Sequence, residues 1–275
     1  YYNIVNGYKD LFLSPASAPS QEHYRNGTTF EELYALYQFD RDIRHIYLKY
    51  LLKVENTFKS VLAHEFSALY GHDNYLKLEN FDAVPDNISS IIKLFGDIQQ
   101  EMARQMSKHH QAVTHYLSEY GYIPLWVLVN VLTFGKVTMF YKLMKPQDKQ
   151  NIARKFHVDA KELHKYMSLC GLARNQCAHD ERFFDLKFRW HLHTRSIANF
   201  SCLGLERDKS GTNDVYAIGI VFARLLGTAD TAEFIASMSA AFSKLEQQLH
   251  TISIKDVMRI MGYPAAWERL QQLAR

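Results

Sequence analysis

The sequence predicts an all-α fold, and three observations carry that expectation. Apolar residues recur at intervals of three and four through long segments, which is the period of an amphipathic helix. No segment shows the two-residue alternation of a strand followed by a turn. The 6 prolines and 12 glycines are few for 275 residues, and they fall between the periodic segments.

The elements follow in order. "GTTFEEL" opens the first long helix, where Thr28 with Glu31, or Thr29 with Glu32, has capping-box spacing. Phe30, Leu33, Tyr37, Ile43, Tyr47, Tyr50, Leu51, Val54, Phe58, Leu62, Phe66 and Leu69 continue the period, and Gly71 closes it. That run is long for one globular helix, so a junction of two helices near Asp40 is an open alternative. "NFDAVPDN" is a loop, and a helix follows from about Asn87 to Tyr120, stopped by Gly121. Pro124 starts a strongly apolar helix, which "KPQDK" breaks. Asp159 with Glu162 caps a helix that carries Leu163, Tyr166, Met167, Cys170 and Ala173 and reaches His179. Beyond the loop "GLERDKSGTND", shorter helices are expected over about Asp214–Leu226, Thr231–His250, Ile254–Met261 and Pro264–Leu273. The organisation this suggests is a helical domain over 1–200 and a C-terminal helical appendage over 201–275, packed on the same body.

Composition narrows the class. Apolar residues make up 47% and charged residues 22%, as in a globular protein with a proper core. The formal charge of +3, with 13 histidines besides, permits a polyanionic partner without demanding one. Three cysteines, with no secretory signal in view, read as reduced thiols of a cytoplasmic protein. The chain begins at Tyr1 without methionine, so its N-terminus reads as trimmed, and a missing targeting segment carries little weight. The longest apolar stretch, "IPLWVLVNVLTFGKVTMFYKLM", is interrupted by Asn130, Thr133, Gly135 and Lys136, so a buried helix is expected rather than a membrane span.

The segment with the most chemistry is "CGLARNQCAHDERFFD". On a helix, Asn175 and His179 are four apart and share a face. Arg174 lies about 140° from His179 by helical phase, but its long side chain can reach a phosphate that His179 also touches at a helix end. An arginine fork holds phosphate oxygens and stays charged. A histidine gives or takes a proton near neutrality. With Asn175 orienting either one, the set could cleave RNA without metal: a ribose 2′-hydroxyl attacks the adjacent phosphate and arginine stabilises the developing charge. Two proton movers serve that reaction better than one, which favours a composite site across a two-fold axis. Arg-x4-His is weak evidence alone, since "RQMSKH" repeats the spacing from Arg104 to His109. The bland alternative is a polar helix end that pairs with Asp180, Glu181 or Asp185.

Other residues carry weaker signals. Arg41 and Arg44, near His45, Lys49 and Lys53, could form a basic stripe for RNA phosphates, although ion pairing with Asp40, Asp42 and Glu55 is the commoner outcome. Arg182 beside Phe183 and Phe184 suits a stacked base, or the two rings dock the helix end into the core. Lys187, Arg189, His191, His193 and Arg195, interleaved with Phe188 and Trp190, make the preferred RNA-contact patch outside the motif. That patch reads equally as an amphipathic face with Phe188 and Leu192 buried. Cys170 and Cys177 lack zinc-ligand spacing and a second pair, so no metal is expected, and they fit better as small core residues than as nucleophiles. No glycine-rich phosphate loop follows a strand and no carboxylate cluster suits a two-metal nuclease, so no cofactor is expected.

Several blocks together resemble the Abi-like family of bacterial abortive-infection proteins, the AbiD/AbiF group within the HEPN superfamily of helical ribonucleases. They are "YYNIVNGYKDLFL", "GTTFEELYALYQFDRDIRHIYLKYLLKVENTFKSVLAHEFSALYG", "YIPLWVLVNVLTFGKVTMFYKLM" and "LARNQCAHDERFFD", covering roughly residues 1–190 in the family's order. Arg174-Asn175-x3-His179 matches the HEPN Arg-polar-x3-His signature at the end of the corresponding helix. The segment after about residue 200 matches nothing recognisable. The resemblance implies a HEPN-type helical bundle with additional C-terminal helices, a homodimer that pairs two motifs, and metal-free endoribonuclease activity in phage defence. It also implies a cognate structured small non-coding RNA that binds and restrains the protein, as in a toxin–antitoxin pair. Two functions from different classes therefore stand: an endoribonuclease, and a non-catalytic RNA-binding module that uses the motif for docking or dimer contacts.

Overall fold

The computed structural model describes residues 2–14, 22–192, 197, 200–204 and 211–274. Helices account for nearly all the regular structure, and among the described residues β pairing is confined to isolated bridges, Leu13 with Tyr24, Phe81 with Met144 and Lys187 with Asp214. The fold is all-α, as the periodicity predicts. In order the α-helices are α1 Tyr2–Tyr8, α2 Phe30–Tyr70, α3 Pro85–Ser107, α4 Gln111–Tyr120, α5 Leu125–Val131 and α6 Phe134–Leu143. They continue as α7 Pro146–Lys155, α8 Ala160–Ala178, α9 Val215–Leu225, α10 Thr228–Glu246 and α11 Ile254–Ile260. No helix is long and apolar enough to cross a membrane among the described residues.

The structure closes one alternative that the sequence left open and changes four other readings. α2 is one helix of 41 residues with no junction at Asp40. The stretch from Asn87 to Tyr120 breaks at Lys108–His110, where His109 takes φ 53 and the His110 ring accepts from Val113 N–H to cap α4. The apolar run after Pro124 breaks at Leu132–Thr133, where the Thr133 hydroxyl accepts from Lys136 N–H and opens α6. "KPQDK" ends one helix and also begins another, because Pro146 occupies the first turn of α7, where a missing N–H costs nothing. At the C-terminus, a 3-10 helix over Trp267–Leu273 replaces the expected α-helix.

The chain forms two compact units, Tyr1–Leu52 with Leu172–Arg275, and Lys53–Gly171. The division does not fall near residue 200. The C-terminal helices share a unit with the first 52 residues.

In the first unit, Tyr47 on α2 meets Phe222 of α9 and Phe234 of α10, with ring centroids 5.7 and 5.2 Å away. Its hydroxyl, fully buried, bonds Tyr263 at 2.6 Å and donates to Val215 C=O at 3.2 Å. α9 is buried from Val215 to Arg224, which is why its sequence is apolar all round. Glu32 ties the two ends of this unit together. The Thr29 hydroxyl accepts from Glu32 N–H at 3.4 Å. The Glu32 carboxylate accepts from His250 N–H, Thr251 N–H and the Thr251 hydroxyl. Burial works against its ionisation, and these donors outweigh burial, holding the carboxyl below the usual range. At Gly262, with φ +81, a side chain is excluded: a Cβ there would lie 2.0 Å from the Asp214 carboxylate.

In the second unit, Phe58 and Tyr141 (5.5 Å), Phe66 and Phe140 (5.1 Å), and Phe81 and Phe140 (5.1 Å) form the aromatic core. Fully burying one such ring stabilises by about 1.5–3 kcal/mol. Lys59 is buried there because Glu55, 2.8 Å away, balances its charge, and it donates to Leu132 C=O at the break between α5 and α6.

Candidate functional site at the end of α8

The last turns of α8 place the motif. Ala173 and Cys177 are buried, while Leu172, Asn175, Ala178 and His179 face solvent and Arg174 is half-buried. Leu172 is 54% exposed, high for a leucine one turn before Asn175 on the same face. The helix ends in a glycine-free C-cap. His179 N–H donates to Asn175 C=O at 3.0 Å, Asp180 takes φ 57, and Glu181 N–H reaches back to Gln176 C=O at 3.2 Å. That six-to-one bond is the Schellman closure, and aspartate is one of the few side chains that tolerates the left-handed position. His179 thus stands on the cap itself, exposed, with Asn175 one turn behind it.

Beneath the cap lies a buried polar hub. Asp40, 0% exposed on α2, accepts from the Tyr8 hydroxyl at 2.7 Å and from Arg44 at 2.6 Å. It also accepts from Phe184 N–H at 2.7 Å and Phe183 N–H at 3.2 Å. Arg44, 4% exposed, also bonds the cap: it donates to Glu181 C=O at 3.0 Å and to the Asp180 carboxylate at 2.5 Å. Burial pushes the Asp40 carboxyl up, against the pull of Tyr8, Arg44 and the two N–H groups. Burial and the adjacent Asp40 push the Tyr8 hydroxyl well above its usual value, so Tyr8 is a donor throughout the ordinary pH range.

The hub corrects the reading of Arg44 as an RNA-phosphate contact. Its guanidinium is inside the protein, bonded to Asp40, Glu181 and Asp180, so it positions the cap from below. Arg41 is exposed on the same helix, with its guanidinium 6.0 Å from the Tyr37 ring centre. Arg182 donates to Gly7 C=O and pairs with Asp185 at 2.8 Å, while Phe183 and Phe184 are buried, the first against Tyr47 (4.9 Å) and the second stacked on Tyr8 (5.6 Å). The two rings therefore dock the helix end, the commoner of the two expected outcomes.

The patch after the motif is an extended segment rather than a helix face. Phe188 N–H donates to Asn213 C=O and Leu192 N–H to Thr212 C=O, which buries Phe188 and Leu192 and turns Arg189 and His191 outward. Lys187 is half-exposed and bonds Ile260 C=O at 2.9 Å and Asp214 at 3.4 Å; His191 bonds the Thr212 hydroxyl at 2.7 Å. His193 and Arg195 lie outside the described residues. Burial raises the Cys177 thiol to about 12, which leaves no thiolate for nucleophilic work at neutral pH. Among the described residues no three His, Cys, Asp or Glu side chains gather to hold a metal ion.

The positioning residues Tyr8, Asp40 and Asp180 were not visible as such in the sequence. The four-residue step from Asp40 to Arg44 was the available signal, and it read as a solvated pair. A family model described as Abi-like protein matches residues 1–185. No curated protein and no solved structure matches the chain.

Proposed function

The chain belongs to the Abi-like protein family, and on that premise we propose that this abortive-infection protein is a metal-independent endoribonuclease of the HEPN type. The observation that carries the reading is the α8 cap. Asn175 and His179 are exposed side by side, Arg174 precedes them, and the turn that presents them is clamped by a buried aspartate–arginine pair. A clamped cap favours chemistry because orientation is set before substrate arrives.

In the proposed reaction the ribose 2′-oxygen attacks the neighbouring phosphorus and the bond from phosphorus to the 5′-oxygen breaks. The products are a 2′,3′-cyclic phosphate and a 5′-hydroxyl. Arg174 holds the phosphate oxygens, His179 moves a proton, and Asn175 orients the groups. One chain supplies one histidine, so the second proton mover comes from a second copy. The exposed Leu172, on the motif's own face, suits an apolar seam there. Exposed Arg41, Arg182, Lys187, Arg189 and His191, with His193 and Arg195, are the proposed RNA contacts around the motif. A cognate structured small RNA is the proposed restraint.

The test uses purified wild-type and His179→Ala protein incubated with a mixed RNA pool in EDTA, with fragment ends analysed. Cyclic-phosphate ends made by wild type and absent from the variant support the reading. Unchanged cleavage in both His179→Ala and Arg174→Ala removes it, and absence of cleavage from RNA-free protein favours a binding module.

A further inference from the structure

We infer that the protein holds a phosphate group at Arg224, in the last turn of α9. Three cations are buried among the described residues, Arg44, Lys59 and Arg224, at 4, 6 and 6% exposure. Two of them have a carboxylate. Arg44 meets Asp40 at 2.6 Å, and Lys59 meets Glu55 at 2.8 Å. Arg224 has none. Among the described residues it makes no ion pair and no hydrogen bond, and its Nε is closed from solvent with nothing to donate to. The surroundings on its own helix do not substitute. Ala217, Ile220 and Val221 stand seven, four and three positions earlier on the same face of α9, and each is apolar and 0% exposed. The opposite face is filled by rings, where Phe222 meets Tyr47 and Phe234 at 5.7 and 5.3 Å.

A buried charge without a countercharge is among the most unfavourable groups a fold can carry. The C-terminal end of a helix offers a partial negative charge of about half a unit, too little to balance a whole one. Groups held at such a cost belong to sites that a ligand completes. The missing component is therefore an anion. The planar guanidinium fork matches phosphate, two of whose oxygens it holds at once. With 6% of the residue exposed, the occupant is a small oxyanion or the projecting end of a phosphate monoester rather than a flat protein face. The site was not legible in the sequence, because an arginine in the last turn of a helix reads as an ordinary partner for the helix dipole.

The proposal goes beyond the ribonuclease reading and does not depend on it, since Arg224 lies in α9, outside the α8 motif. The test uses the full chain, dialysed free of phosphate. Inorganic phosphate is then titrated against chloride at constant ionic strength, with thermal unfolding followed by circular dichroism and binding by phosphorus-31 line broadening. Wild type should gain about 2–4 °C, saturably, once phosphate reaches several times its dissociation constant. Arg224→Met should lose that gain and the line broadening. In phosphate-free buffer its midpoint should be no lower than that of wild type, because it removes an unpaired charge and keeps the apolar stem. Arg224→Gln guards against a packing fault in the methionine variant. A wild-type chain that neither broadens the phosphate line nor gains stability overturns the proposal, as do variants that gain as much as wild type. So do midpoints well below wild type for both variants in phosphate-free buffer, since a cation whose loss destabilises already has its countercharge. Further probes name the source: a 5′-mononucleotide that binds more tightly than inorganic phosphate marks a nucleotide, and an unstructured 2′-O-methyl oligonucleotide that needs its 5′-phosphate marks an RNA end. Arg224-dependent phosphate binding by a chain that never cleaves RNA keeps the site and removes the ribonuclease, and cleavage without such binding does the reverse.

Discussion

Replacing Arg44 by methionine tests the clamp beneath the α8 cap. The substitution keeps most of the side-chain volume and removes the cation. Asp40 then remains at 0% exposure without a countercharge. Deleting one partner of a buried pair costs about 3–5 kcal/mol. Asp40 keeps its bonds from Tyr8, Phe183 and Phe184, so the lower end, about 3 kcal/mol, is expected. The outward arm of the clamp is worth far less. Asp180 is 76% exposed in its pair with Arg44, and Asp180→Asn, which tolerates the same left-handed backbone, should cost under about 1 kcal/mol. The pH dependence has a definite sign. Burial already raises the Asp40 carboxyl, and Arg44 is one of the groups that opposes burial. Without Arg44 the folded value rises further above the unfolded one, so the folded state takes up protons, and the variant's stability deficit grows as pH rises from the ordinary carboxylate range through the raised folded value. Urea denaturation followed by circular dichroism, at pH 5 and pH 8, measures both effects. An Arg44→Met that costs no more than Asp180→Asn, or whose deficit shrinks as pH rises, would refute the clamp.

Three further outcomes are expected. Gly262→Ala should lower stability by at least about 2 kcal/mol in a denaturant titration, because a Cβ at φ +81 adds backbone strain and meets the Asp214 carboxylate, 2.0 Å from its ideal position. Glu32→Gln should cost about 1–2 kcal/mol at pH 7 by weakening bonds to Thr251 and His250. Because the Glu32 carboxyl is held low in the fold, its contribution is present above the usual glutamate range and fades as pH falls through the folded value, so wild type and variant should converge once the carboxyl is protonated in the folded state as well. Iodoacetamide should leave Cys177 unmodified in the native protein at pH 8 and alkylate it only after unfolding, since burial holds the thiol near about 12; rapid native labelling, read by mass spectrometry, would contradict its core placement.

The differences between sequence and structure have local causes. The breaks at Lys108–His110 and Leu132–Thr133 were hidden because the three-and-four apolar period continues across them. Periodicity reports which side of the chain is buried, and a short interruption by a capped turn need not disturb that side. Pro146 misled in the opposite direction, since proline ends a helix and also begins one. The motif was easier to read. Asn175 lies in the last turn of α8 and His179 on its cap, where a four-residue spacing sets a shared side.

What the sequence determined by itself was therefore whatever a single helix decides: the all-α class, the stripe that buries Ala173 and Cys177, and the exposed step from Asn175 to His179 at the helix end. Tertiary structure decided what surrounds that end. Asp40 meets Phe183 and Phe184, 143 and 144 residues along the chain, and so Arg44 became a buried clamp rather than an RNA contact. It also decided that the C-terminal helices share a compact unit with Tyr1–Leu52, through partners such as Glu32 with Thr251, 219 residues apart. Periodicity in a sequence says that a face must be covered and leaves open by what. A buried carboxylate or cation is the sharpest case, because its side chain looks the same on a solvated face, and only the donors that the fold brings to it make burial tolerable.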